Sequence, residues 1–311
     1  MQRLRIGIVG TGAIGGFYGL MLAKAGHDVH FLLRSEYQAV VANGLRLNSA
    51  VHGQLHLQPV QAWSDPAEMP PCDWLLVGAK TTSNAQLAPV ITRLSRPGAR
   101  VVLLQNGLAV EEQLRPLLPD NLHLLGGLCF ICTHRAAPGV IEHQALGAVN
   151  LGYHSGPARA SESLAIVEEG AELFRSAGLE SVAMADLQQA RWQKLVWNVP
   201  YNGLSVLLGA GTTRLMANAD SRALILELMR EVVQGAAACG QVLPEGYPEK
   251  LLATTERMPD YLPSMYHDFQ HKRPLELQAI YAAPLAAAAA AGCEMPKMRM
   301  LHQALRFLDA G

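Results

Sequence analysis

The sequence has 311 residues, 50% hydrophobic and 16% charged, and its 25 Lys and Arg against 26 Asp and Glu leave a formal net charge of -1. A chain of this length holds about two domains and a sizeable core, and its composition excludes a disordered protein. No long basic or acidic run is present, which excludes nucleic acid as a partner, because binding it needs clustered cationic surface.

Residues 3–9 read as an apolar strand, and Gly10-Thr11-Gly12-Ala13-Ile14-Gly15-Gly16 follows. Residues 17–25 carry a helical pattern that Gly26 closes, and residues 27–33 read as a second strand. A G-x-G-x-x-G framed by strand and helix is the dinucleotide-binding fingerprint. Gly10 permits the tight turn, Gly12 lets the backbone approach a pyrophosphate, and Gly15 lets helix and strand pack closely. The amides of residues 10–15 and the helix dipole then face the phosphates. Arg3 and Arg5 ahead of the apolar residues 6–23 would also describe a secretory signal, but the glycine spacing argues against one.

The end of the second strand selects the cofactor. An Asp or Glu there would bond the ribose hydroxyls of NAD, whereas this chain places Arg34, which suits the 2'-phosphate of NADP. Glu36, two residues on, is the competing feature.

Residues 44–60 suggest a small hairpin around Val51, and residues 64–71 a loop. Residues 73–80 form a buried-strand pattern ending at Lys80, residues 84–94 a helix, and residues 99–107 a strand ending in Gln105-Asn106-Gly107. Ligands bind beyond the carboxyl ends of strands in an open parallel sheet, so Arg34, Lys80 and Asn106 are expected to converge on one crevice.

Residues 122–153 change to strand-like pieces with turns at 137–139 and at Gly147, an antiparallel extension of the sheet. The five cysteines are too scattered for a disulfide framework, which points to a reducing compartment. Cys129 and Cys132 form a C-x-x-C on a strand, where spacing by three gives opposite faces and no shared metal or redox pair. Residues 161–177 read as an amphipathic helix and 181–184 as a last short strand. Beyond residue 185 the pattern is helical, including 221–240 and 276–292, and no segment has the uninterrupted length of a membrane helix. The fold expected is α/β: an N-terminal Rossmann-like domain over residues 1–185 and an all-helical domain over residues 186–311.

The first helix of that second domain carries the polar row Lys194, Asn198, Asn202 at intervals of four, among Leu195, Val196, Trp197 and Val199. Such a row on one helix face is costly to bury unless something polar meets it, and a substrate would do so. Pro200 removes one helix hydrogen bond and should kink this helix, which leaves the placement of Asn202 open. His267 and His271 have the i, i+4 spacing of a metal pair, but no third ligand is evident and no metal is expected.

With these residues in view, the chain resembles the ketopantoate reductase family (2-dehydropantoate 2-reductases) over essentially its whole length. The resemblance rests on the early glycine loop, Arg34, Lys80, Gln105-Asn106-Gly107, the Lys194/Asn198/Asn202 row, and Ser264-Met265-x-x-Asp268 followed by Glu276. It implies NADPH-dependent reduction of a 2-keto acid to a 2-hydroxy acid, with ketopantoate to pantoate in pantothenate biosynthesis as the expected reaction and the cytoplasm as the expected location. It also implies Lys194 as general acid and Glu276 as its partner at the substrate hydroxyl. Asn198 and Asn202 become positioning amides, Ser264 the carboxylate-binding serine, and Asn106 a residue beside the nicotinamide. Two other readings remain: a paralogous hydroxy acid dehydrogenase whose substrate side chain is read near Pro200 and Tyr201, and a non-catalytic NADP sensor. A homodimer through the Ala- and Leu-rich helices is also open.

Overall fold

The computed structural model describes residues 4–310; Arg3, at the edge of the first expected strand, lies outside them. Ile6, Gly7, Ile8 and Val9 are all buried, so β1 (Arg5–Val9) is covered on both faces, as an apolar run without alternation requires. The chain turns at Gly10–Gly12 into α1 (Ala13–Lys24) and returns as β2 (Asp28–Leu32). The helix starts earlier than the apolar pattern of residues 17–25. Gly15 and Gly16 are poor helix formers, but close packing overrides propensity: a Cβ on Gly16 would lie 2.4 Å from the Ile141 side chain.

Next come α2 (Tyr37–Asn43) and the antiparallel pair β3 (Leu45–Ser49) and β4 (Gly53–Leu57), the hairpin expected around Val51. They lead to β5 (Ala62–Trp63), β6 (Cys72–Val77), α3 (Asn84–Leu94), β7 (Ser95–Leu103) and α4 (Val110–Leu114). The segment ends with β8 (His123–Ala137), β9 (Val140–Ser155), α5 (Ala160–Ser176) and β10 (Ala183–Met184).

Among the described residues these strands make one 10-stranded sheet in the order β4-β3-β9-β8-β7-β6-β1-β2-β5, with β10 beside β9. The run from β8 to β5 is parallel, and β9 lies antiparallel to β8. From β1 the chain moves outward through β2, then resumes at β6 on the other side and proceeds through β7 to β8. The switch point of this winding therefore lies between β1 and β6, where open α/β sheets bind ligands.

The expected turn at Gly147 is instead a bulge inside β9. Phe130 pairs with Ala148 and Ile131 with Leu146, leaving Gly147 as an extra residue at φ +131°. Cys129 and Cys132 on β8 are both buried, and all five cysteines are free.

From α6 (Leu187–Leu208) onward the described residues form helices and loops. The helices are α7 (Thr212–Ala217), α8 (Ala219–Ala238), α9 (Tyr247–Glu256), α10 (Ser264–Gln270), α11 (Ala283–Ala290) and α12 (Pro296–Asp309). A π-helical turn, Gln278–Ala282, runs directly into α11. Their core is built on Trp192, Leu195, Val196 and Val199 of α6, packed with Ile225, Met229 and Val232 of α8 and Met298 and Leu301 of α12. Glu231, buried on α8, accepts the amides of Lys297 and Met298 at 3.0 Å each, so one carboxylate satisfies two donors at the start of α12.

The chain divides into two compact units. One contains the residues up to Gln105 with Val110–Leu187, and the other contains Asn106–Ala109 with the residues from Gln188 onward. Among the described residues no helix is long and apolar enough to cross a membrane.

Candidate functional site

The glycine loop in the first unit is clamped on one side and open on the other. Gly10 has φ +91°, and a Cβ there would come within 2.4 Å of the Ala79 amide nitrogen, so conformation and close approach both require glycine. A Cβ on Gly15 would strike the Gly10 carbonyl oxygen at 2.3 Å. At Gly12, by contrast, a Cβ would meet nothing within 4 Å. That open side precedes Ala13 and Ile14, the first residues of α1, where helix amides lack internal partners. The cradle fits a dinucleotide pyrophosphate: room over Gly12, amide donors, and the positive end of a helix. The Thr11 hydroxyl donates to the Leu32 carbonyl at 3.2 Å, so this side chain anchors the loop to β2.

Arg34 is exposed just beyond β2, whereas Glu36 is buried and committed elsewhere. The Glu36 carboxylate binds the Arg135 guanidinium and accepts the Gly139 amide at 2.9 Å. The competing acidic feature is therefore a structural anchor for the β8–β9 turn, and an exposed cation is left at the strand end. Lys80 follows β6 and is half-buried.

Two buried amides received no role of their own from the sequence. Gln105, past the end of β7, and Asn84, at the start of α3, hydrogen-bond one another. Gln105 stood in the sequence as a strand end and as part of the Gln105-Asn106-Gly107 turn, and Asn84 as an ordinary helix start; their pairing across 21 residues leaves no local signal.

In the second unit, α6 presents Lys194 half-buried and Asn198 and Asn202 buried. The helix continues through Pro200 to Leu208. Asn202 Oδ1 accepts the Met265 amide at 3.4 Å, which brings Asn202 to the first turn of α10. Ser264, the first residue of that helix, is exposed, and Pro263 occupies the cap position. Asn198 Nδ2 is buried and has no hydrogen-bond partner among the described residues. Glu276 is buried just ahead of the π-helical turn, a local geometry enriched at functional sites.

The turn containing Asn106 packs against that π-helical stretch. The Leu108 amide donates to the Ala279 carbonyl at 2.9 Å, and Gly107, at φ +104°, lies so close that a Cβ would sit 2.5 Å from the Ala279 Cβ. Asn106 thus folds with the second unit, while Arg34 and Lys80 belong to the first.

Tyr201, one of the two residues offered for reading a substrate side chain, belongs to the core of the helical unit. It is fully buried, stacks on Trp197 with ring centroids 4.6 Å apart, and directs its hydroxyl to Met216 Sδ at 3.1 Å. Burial pushes its phenol up to about 12. His271 Nδ1 lies 2.6 Å from the His267 carbonyl, and among the described residues no group of three His, Cys, Asp or Glu is placed to hold a metal ion.

Known proteins share both units. Residues 6–156 match the family described as ketopantoate reductase PanE/ApbA, and residues 186–309 match its C-terminal counterpart. The chain is 40% identical over 312 aligned residues to a 2-dehydropantoate 2-reductase of Nostoc sp., covering 99% of this chain and 96% of the relative. The crystal structure of 2-dehydropantoate 2-reductase from Geobacter metallireducens matches with a TM-score of 0.91 at 40% identity, covering 97% of this chain and 99% of that one. The enzyme of the same name from Methylococcus capsulatus matches with a TM-score of 0.85 at 33% identity, covering 99% and 97%. The chain therefore belongs to the ketopantoate reductase family.

Proposed function

We propose that this protein reduces 2-dehydropantoate to pantoate with NADPH, and that Lys194 is the general acid. Residues 1–185 serve as the NADP-binding domain and residues 186–311 as the helical substrate and catalytic domain. The observation that carries this reading beyond family membership is Asn198 Nδ2, buried without a partner one helical turn from Lys194. An unsatisfied buried donor costs about 1–3 kcal/mol, and such a cost is retained where a ligand supplies the acceptor.

A bound nicotinamide supplies the hydride. Reduction at the keto carbon builds negative charge on its oxygen, and the Lys194 ammonium both stabilises that charge and donates the proton. Glu276 hydrogen-bonds the resulting hydroxyl, Asn198 and Asn202 orient the substrate without adding charge, and Ser264 takes its carboxylate. Gly10 to Gly15 hold the pyrophosphate, with Arg34 on the 2'-phosphate and Lys80 and Asn106 completing the cofactor site. The five free cysteines fit a reducing compartment, and the cytoplasm is the proposed location.

The test is loss of NADPH absorbance on addition of ketopantoate to the purified protein. The reading fails if a panel of branched 2-keto acids gives no turnover. It also fails in its mechanism if Lys194→Ala retains parental kcat; the expected loss is about 10²- to 10⁴-fold with NADPH affinity kept.

A further inference from the structure

We propose that Gln105 is a positioning residue of the cofactor site, fixing the Ala79–Lys80 peptide against which the glycine loop turns. The inference rests on the NADPH reading above and assigns a role to a side chain that reading leaves unused.

One amide group ties three segments together. Gln105 Nε2 donates to the Ala79 carbonyl at 2.8 Å and to Asn84 Oδ1 at 2.6 Å. Asn84 Nδ2 returns a bond to Gln105 Oε1 at 3.2 Å. A primary amide has two N–H donors, and both are spent on defined acceptors. Both side chains are buried, so neither bond can be exchanged for water without opening the sheet end.

Geometry links this pair to the glycine loop. Ala79, whose carbonyl Gln105 holds, is also the residue against which Gly10 packs, at the distance that forbids a Cβ. Asn84 begins α3 directly after the short turn Thr81–Ser83. The segment carrying Lys80 is therefore held at both ends by one side chain: at Ala79 through its carbonyl and at Asn84 through its amide. If Gln105 is removed, the Ala79 carbonyl loses its donor, and both the seat of Gly10 and the direction of Lys80 lose a constraint.

A purely structural amide would cost stability alone, whereas a positioning amide costs cofactor affinity beyond what lost stability explains. The experiment compares Gln105→Met with Val101→Ala, a fully buried site on β7, in the full-length protein. Thermal midpoints, NADPH dissociation constants from fluorescence titration, and KM and kcat are measured for each. Both variants should lower the midpoint. Gln105→Met should weaken NADPH binding by about tenfold or more and raise its KM in parallel, with kcat at saturating cofactor within about threefold of the parent. Val101→Ala should change NADPH affinity less than about twofold.

Asn84→Ala removes both mutual bonds with Gln105 but leaves Gln105 Nε2 on the Ala79 carbonyl. It should weaken binding by a smaller factor, and it carries the test if Gln105→Met does not fold. Parental NADPH affinity in both amide variants overturns the proposal, as does an equal loss in Val101→Ala. Absence of NADPH binding by the parent would instead overturn the cofactor reading, a result distinct from either.

Discussion

The Tyr281 hydroxyl donates to the carbonyl oxygen of Val199 at 2.8 Å, tying the π-helical turn beyond Glu276 to the helix that carries Lys194, Asn198 and Asn202. Tyr281 is fully buried, which raises its phenol well above the usual tyrosine range and keeps it a neutral donor. Gly203 makes room for it: a Cβ there would sit 2.6 Å from the hydroxyl and 2.7 Å from the Leu301 side chain. Tyr281→Phe should cost about 1 kcal/mol, and Gly203→Ala about 1–3 kcal/mol through overpacking. Thermal denaturation checks both, and parental midpoints would show that this contact does not brace α6.

Arg34 and Glu36 should separate cleanly in cofactor selection. Arg34→Ala removes the exposed cation and should lower the preference for NADPH over NADH by about tenfold or more. Glu36→Gln weakens the hold on Arg135 and the Gly139 amide and should lower stability while leaving that preference unchanged. Steady-state kinetics with each cofactor decide the point. A shift in preference in Glu36→Gln would return that carboxylate to the ribose site.

Asn198 offers a trade between stability and function. Replacing a buried amide whose Nδ2 has no partner with an apolar group of similar size should stabilise the ligand-free protein. Asn198→Leu should thus raise the thermal midpoint by a few degrees while lowering kcat/KM for the keto acid by about 10²-fold. A drop in both quantities would mean that Asn198 serves the core.

Acid should weaken the first unit through His52 and His143. His143 is buried, with Nδ1 2.8 Å from Ser49 Oγ and Nε2 3.0 Å from the Ala145 carbonyl, and the His52 ring stacks on it at 5.7 Å. Burial lowers both imidazoles from the ordinary 6.5; nearby Lys24 lowers His52 further, and the bond to Ala145 partly offsets the shift at His143. Because the folded pKa values lie below the unfolded one, the unfolded chain takes up protons first as pH falls. Their contribution is fully present above about pH 6.5 and is lost progressively below it. The thermal midpoint should fall between pH 7 and pH 5, and His143→Phe should flatten that slope. An equal slope in the variant would place the acid sensitivity elsewhere.

Local spacing was enough to read several parts of this protein from sequence. The strand, glycine loop, helix and strand around Gly10 to Gly15 were legible because each glycine's steric demand and each strand's apolar run act within about 30 residues. The β3–β4 hairpin and the bounds of α3 were legible for the same reason, as was the periodic row on α6. The start of α1 was not, because Gly15 and Gly16 are helical only by virtue of what packs on them from Ile8 and Ile141. Gly147 was read as a turn because its left-handed backbone suits one, and only the register against β8 makes it a bulge.

Tertiary structure alone decided how the polar side chains are spent. Glu36 looked available for a ribose until Arg135, 99 residues away, claimed it. Tyr201 looked like a specificity residue until Trp197 and Met216 enclosed it, and Asn202 acquired a partner in the Met265 amide. Sequence periodicity states which face of an element a side chain occupies. Whether that side chain already has a hydrogen-bond partner depends on groups far along the chain, brought near only when the sheet and the helices have packed.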